Sequence, residues 1–212
     1  MRFTGVFSGA HFFVCSAHCR CAAGAPQIVY SCSKQVVVQG YIVAASEALL
    51  LSAGMNGEIS LRDYQVIDAE AMFRLDVACF APEFRFDRRS MRAFAEERDA
   101  IALVAEAMDG DVAGFVIVHV ERVAAGWRGY LVTLDVAEAW RRKGLAGRLM
   151  REAESRAAAS RARWMELHVF TGNEAAIRFY EQLGYERIAM RRRFYGGEGL
   201  DAFVYRKEIA DR

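Results

Sequence analysis

Beyond Met55, apolar residues recur along the chain with two different periods. Over Leu61–Phe80 and Asp87–Glu97 they return every three to four positions. That spacing predicts two amphipathic helices, the second capped by Asp87. Ala100–Ala107 and Val112–Arg122 are nearly continuous apolar runs on either side of the turn Asp109-Gly110-Asp111, which predicts a hairpin. Gly129–Val136 (GYLVTLDV) predicts a third strand. A helix over Gly144–Ala159, a strand over Trp164–Phe170 and a helix over Asn173–Leu183 follow, then strands over Tyr185–Arg191 and Asp201–Lys207. This order predicts an α/β fold in which one mixed sheet is flanked by helices.

The first 54 residues do not share that pattern. They carry only Arg2, Arg20, Lys34 and Glu47 as charges, yet hold Cys15, Cys19, Cys21 and Cys32. The expected organisation is therefore a globular domain over 55–212 and an atypical extension over 1–54. That extension is expected to be disordered, or to precede a true start at Met55. Cys15, His18, Cys19 and Cys21 lack the paired Cys-x-x-Cys spacing of zinc sites, so no metal is expected. The whole chain of 212 residues has 28 Lys and Arg against 27 Asp and Glu, a net charge of +1. Such a balance gives no broad basic surface, so nucleic acid is not expected as a direct partner. No run of about 18 apolar residues occurs, so no membrane span is expected and a cytoplasmic location is.

The segment with the most chemistry in it is Val136-Ala-Glu-Ala-Trp-Arg141-Arg142-Lys143-Gly144-Leu145-Ala146-Gly147. A strand stops and a basic, glycine-containing loop opens directly into a helix. The first amides of a helix lack partners within it and carry partial positive charge, so they attract an anion. Gly144 lets backbone approach a phosphate closely, and Arg141, Arg142 and Lys143 add charge. The pattern is neither a Walker A loop nor a dinucleotide fingerprint. A solvated basic turn is the plainer alternative.

Further along comes Leu167-His168-Val169-Phe170-Thr171-Gly172-Asn173-Glu174-Ala175-Ala176-Ile177-Arg178-Phe179-Tyr180-Glu181-Gln182-Leu183-Gly184-Tyr185. Taken with the basic loop, this segment resembles the Gcn5-related N-acetyltransferase (GNAT) superfamily over roughly 55–207. Within that superfamily the chain is most similar to the N-terminal protein acetyltransferases, including those that act on a ribosomal-protein alanine. The resemblance implies a GNAT fold with a splayed central sheet, and acetyl-CoA as cosubstrate. It implies that Leu134, Asp135 and Val136 offer backbone groups to the pantetheine arm, and that Arg141, Arg142, Lys143, Gly144, Leu145, Ala146 and Gly147 cradle the pyrophosphate. Asn173 is implied as a cofactor contact, with helix capping as its other reading. Phe194 and Tyr195 are implied to line the peptide entrance, with Phe80–Phe84 and Arg85–Asp87 as the opposite wall.

Acetyl transfer needs an unprotonated amine, a polarised carbonyl and a proton for the departing thiolate. On an alternating strand His168 shares the more polar face with Glu166, and its ordinary pKa of about 6.5 suits a base acting through water. The ribosomal alanine enzymes usually place Glu there, so His168 departs from that pattern. The resemblance makes Tyr180 the general acid, Tyr130 a residue that positions a water or base, and the Val136 N–H an oxyanion donor. Core packing is the alternative for His168 and Tyr180, and an ordinary strand aromatic the alternative for Tyr130. Arg191-Arg192-Arg193 reads as a lure for acidic peptides, as a contact for nucleic acid on a ribosome, or as a solvated strand end, and Cys79 and His119 read as packing. The acceptor expected is the N-terminal peptide of a protein, ribosomal proteins included, acted on by a monomer or weak dimer. The alternatives are a small amine as acceptor, or a non-catalytic acetyl-CoA sensor.

Overall fold

The apolar runs that read as strands pair into one sheet. The computed structural model describes residues 59–196 and 199–209. Segment 1–54, with its cysteines, and Met55 lie outside the described residues. Seven strands, β1 (Ile59–Asp63), β2 (Ala100–Ala107), β3 (Val112–Val123), β4 (Gly126–Val136), β5 (Trp164–Phe170), β6 (Glu186–Arg191) and β7 (Ala202–Glu208), form the sheet. Their order is β1-β2-β3-β4-β5-β7-β6. Only β4 and β5 run parallel; the other neighbours are antiparallel. Four helices flank the sheet: α1 (Ala69–Cys79), α2 (Arg88–Ala95), α3 (Leu145–Ala159) and α4 (Glu174–Gln182).

The expected first helix is the one element that changes type. Ile59–Asp63 is an edge strand paired to β2 from Ile59↔Ala107 to Asp63↔Leu103, and α1 begins only at Ala69. Ile59 and Leu61 already alternate with polar neighbours, a two-residue period hidden at the start of a helical one. The pairing is reinforced by Arg62, whose guanidinium bonds Glu106 on β2 and Asp68 just before α1. Asp87 caps α2 as expected, accepting from the Ser90 amide at 2.9 Å.

The sheet buries both faces. Val116, Val118, Leu131, Leu134, Met165 and Leu167 pack beneath Leu149, Met150 and Ala153 of α3. On the other face Phe115, Ile117 and Val132 pack against Met72 of α1 and Met91 of α2. An extra residue in β4 opposite Ile117/Val118 breaks the strict alternation, so that Leu131 and Leu134 enter the same core. Among the described residues, no helix is long and apolar enough to cross a membrane.

Candidate active site

The site begins where two parallel strands part. β4 and β5 are paired only from Arg128↔Trp164 to Tyr130↔Glu166. Gly129 holds the strands together at that last stretch, because any Cβ there would lie 2.4 Å from Met165 Sδ and 3.2 Å from Ala157 Cβ of α3. Beyond it, β4 stays on β3 through Val136 while β5 stays on β7 through Phe170. The Ala137 amide donates to Ala113 O at 2.9 Å, so by alternation the backbone groups of Leu134 and Val136 face the gap. Arg141 Nε donates to Val136 O at 2.9 Å, which leaves the Val136 N–H directed into the same gap.

At the end of β4 the chain turns sharply into α3. Arg142 at φ 59° and Gly144 at φ 81° are both left-handed. Gly144 is the residue before the helix, and a Cβ built there meets nothing within 4 Å. The first backbone bond of the helix runs from Arg148 N to Gly144 O, at 3.1 Å. The amides of Leu145, Ala146 and Gly147 therefore lack partners within the 15-residue helix; open space lies over Gly144, and the Arg151 guanidinium sits beside Gly147, 3.2 Å from where a Cβ would be. This cradle fits a pyrophosphate. The charges divide differently from expectation. Arg142 and Lys143 are exposed at the loop, Lys143 lying 5.0 Å over the Trp140 ring. Arg141 instead turns inward to satisfy the Val136 carbonyl and lies 3.4 Å from Cys79 Sγ, so it is not free to face an anion.

Two polar groups from the following helix are buried without a hydrogen-bond partner among the described residues: the Tyr180 hydroxyl and Asn173 Nδ2. Asn173 does cap α4, its Oδ1 accepting from the Ala176 amide at 3.1 Å. Its amide nitrogen is left over for a ligand, so both readings of Asn173 hold in one side chain. Burial pushes the Tyr180 phenol well above its ordinary range, with Tyr195 and Asp135 close enough to add to the effect. Asp135 is itself buried, accepts from Thr133 Oγ1, and is raised well above the carboxylate range by burial and by Asp76. Two polar residues spaced by two in an otherwise apolar strand, Thr133 and Asp135, were the sequence signal for this buried cluster.

His168 faces the side of the sheet expected from alternation. Its Nδ1 lies 3.2 Å from the Tyr130 hydroxyl, and the Phe194 ring stacks on it at 4.1 Å and 8°. Behind this pair, Glu166 is held between Arg128 and Arg206, and Arg128 also bonds Glu121, a network the sequence reading did not contain. The ring does not keep its ordinary titration. Burial lowers the His168 pKa to about 3, helped by the positive charges of Arg128 and Arg191. It is thus neutral through the physiological range, and can pass a proton through water but not store one. A pH effect on stability follows. The unfolded histidine takes up a proton near pH 6.5 and the folded one only near 3, so acidification through that window favours unfolding. From pH 7 to pH 5 the loss assigned to His168 is about 2 kcal/mol. Denaturant melts of the wild type and His168→Gln at both pH values check this; equal losses in the two proteins would contradict it.

Of the residues expected in an opposite wall, Phe80 and Phe84 pack in one cluster with Tyr195. Phe84 lies 5.2 Å from Phe170 and 4.8 Å from Tyr195, ring to ring, and Phe80 joins the same cluster. Phe86 instead enters the core beneath α1 and α2, Arg85 Nε donates to Phe80 O, and Asp87 caps α2. These three are drawn away because each meets a stronger local demand. Cys79 does have a cation beside it, Arg141, yet burial still pushes its thiol up to about 12. It stays a packing residue, as does His119, whose Nε2 lies 2.9 Å from Phe94 O. Among the described residues, no group of three or more His, Cys, Asp and Glu side chains could hold a metal ion.

Similarity to known proteins points the same way. The profile of the Acetyltransferase (GNAT) family matches residues 69–185, more than half of the chain. The N-alpha-acetyltransferase RimI of Mycobacterium tuberculosis is 35% identical over 79 residues, which is 37% of this chain and 48% of that protein. The chain thus spans about half the length of that relative. The ribosomal-protein-S18-alanine N-acetyltransferase from Escherichia coli superposes with a TM-score of 0.62 at 21% identity, over 73% of this chain and 96% of that one. Arabidopsis thaliana NAA60 in complex with acetyl-CoA does so with 0.63 at 21%, over 71% and 98%.

Proposed function

Because the chain belongs to the Acetyltransferase (GNAT) family, we propose that it moves an acetyl group from acetyl-CoA to the N-terminal α-amino group of a protein. The observation that carries this reading is the buried, partnerless Tyr180 hydroxyl beside strands that part after Tyr130 and Glu166. A buried hydroxyl with no partner is destabilising by about 1–3 kcal/mol, and a ligand in the gap would relieve it. The relatives named for α-amine and ribosomal alanine acetylation support the acceptor class, and make a ribosomal protein one candidate.

Acetyl-CoA supplies the activated acyl thioester, and the protein supplies binding, polarisation and proton movement. The amides of Leu145, Ala146 and Gly147 hold the diphosphate, with Arg142 and Lys143 adding charge and Asn173 Nδ2 a further donor. The backbone of Leu134 and Val136 binds the pantetheine arm as an added strand would. The Val136 N–H polarises the thioester carbonyl, an oxyanion-hole role strengthened by burial. Tyr130 and His168 orient a water that takes the proton from the amine. The cationic surroundings of His168 also disfavour an ammonium there, so the amine reaches the gap neutral. Tyr180 keeps its proton on Oη until sulfur needs it. The same burial that raises the phenol raises a thiolate in the gap, which keeps donor and acceptor matched.

The test is direct. Acetyl-CoA is incubated with N-terminal peptides beside free polyamines and aminoglycosides, and thiol release and product mass are measured. Higher kcat/KM with peptides is the expected result. Turnover restricted to small amines would replace the acceptor, and no turnover with any amine would replace catalysis by sensing.

A further inference from the structure

The face of the sheet on which His168 stands continues across two more strands to a run of arginines. His168 is opposite Val204 on β7, and Phe170 is opposite Ala202. Val204 is opposite Ala189 on β6, and Ala202 is opposite Arg191. Residues directly opposite one another project to the same side of a sheet. Arg191 therefore shares the His168 side, two strands across and two residues along, about 12 Å away at ordinary strand spacings. An extended peptide covers that distance in three to four residues.

Three features keep this edge cationic. Arg191, Arg192 and Arg193 are all exposed, and among the described residues none of their guanidinium groups has an ion pair. Asp201, an acid among the described residues of the turn, bonds backbone and forms no ion pair with these arginines: its Oδ1 accepts from the Arg193 amide at 2.7 Å, and that residue is left-handed at φ 50°. The next residue, Phe194, stacks on His168, so the arginines sit at the lip of the amine site itself. Glu166, the acid on the same face, is shared between Arg128 and Arg206 and turned to neither lip nor solvent.

We infer that the protein selects N-terminal peptides carrying an acidic side chain at the second to fourth residue, read by Arg191 and Arg193. With the amine neutral beside His168, the charge that Arg191 and Arg193 read is that of the side chains behind it: an aspartate or glutamate there is attracted, and a lysine or arginine is repelled. The contact is at a solvent-exposed rim, so it acts on encounter and on KM more than on kcat, and it weakens with salt.

This inference rests on the α-amine reading, and one experiment separates the two. Steady-state kinetics compare peptides that begin identically and differ only in Asp/Glu or Lys/Arg at residues two to four. A kcat/KM ratio of acidic over basic of about tenfold is expected, the equivalent of 1.4 kcal/mol. It should fall towards unity in high salt and invert in the Arg191→Glu, Arg193→Glu double variant. The conservative Arg191→Lys, Arg193→Lys protein should keep the sign of the preference. Equal rates on all peptides, or a ratio unmoved by the double variant, would overturn the inference while leaving α-amine acetylation in place. Turnover of small amines only, with no peptide accepted at any charge, would overturn both.

Discussion

Replacing Tyr180 with phenylalanine is expected to lower kcat about a hundredfold without weakening the fold. The rate loss is the ordinary size for removing a positioned proton donor, about 10²–10⁴. The stability change should have the opposite sign to most core substitutions. The Tyr180 side chain is fully buried and its hydroxyl has no hydrogen-bond partner among the described residues. Phenylalanine keeps the ring contacts with Phe179 and Tyr185 and deletes only the desolvated oxygen. Unfolding free energy should rise by about 1 kcal/mol, a melting-temperature gain of about 2–4 °C. A residue there for packing alone would show neither the rate loss nor the trade between rate and stability. Binding of coenzyme A, measured by calorimetry, should weaken far less than kcat falls, by about fivefold, because only the wild type has a hydroxyl for the ligand to relieve. An unaltered kcat would remove Tyr180 from proton transfer and leave the thiolate to be protonated by solvent.

The second large effect is expected at Gly144, and two substitutions separate its causes. With φ at 81°, valine there is strained, at about 1–2 kcal/mol for the left-handed backbone. Asparagine tolerates that conformation, so Gly144→Asn isolates bulk from strain. A Cβ at this position meets nothing within 4 Å, so the first side-chain atom of either residue is clear of the protein itself. What it would collide with is a diphosphate drawn onto the amides of Leu145, Ala146 and Gly147. Each charge-assisted bond lost is worth about 1.5–3 kcal/mol. Coenzyme A affinity should therefore fall at least tenfold in Gly144→Asn and further in Gly144→Val, while Gly144→Asn melts close to wild type. Unchanged affinity in both would place the phosphates elsewhere. Arg141 offers a control within the same loop, because its side chain is committed to the Val136 carbonyl. Its loss should disturb the carbonyl-polarising end of β4 more than phosphate binding, and so lower kcat rather than raise the Kd for coenzyme A.

Most strands and helices, and the basic loop that opens into α3, were legible because each is a local signal. Apolar period, a capping Asp87 or Asn173, and a glycine at a strand-to-helix turn all act within a few residues of one another. The misread stretch was Leu61–Asp63, where the competing influence is non-local: β2 lies some forty residues away and supplies the pairing that a helical spacing cannot show. The same limit applies to side chains. Arg141 belongs to a basic triplet in sequence, but a carbonyl at the end of β4 claims it. Phe86 belongs to an aromatic wall in sequence, but the space between α1 and α2 claims it.

The sequence by itself determined the alternation that puts His168 on the polar face, the order of the strands in the chain, and the anion-attracting character of the loop, whereas the role of Tyr180 came from the resemblance to a family. The first three depend on residue type and spacing, which act through backbone geometry. Only the tertiary structure decided that β4 and β5 separate after Tyr130 and that Tyr180 is buried with an unspent hydroxyl. It also decided that His168, enclosed by Phe194 with Arg128 and Arg191 nearby, titrates far below an ordinary histidine. Desolvation and electrostatic fields are sums over everything nearby in space, and no window of the chain contains that sum.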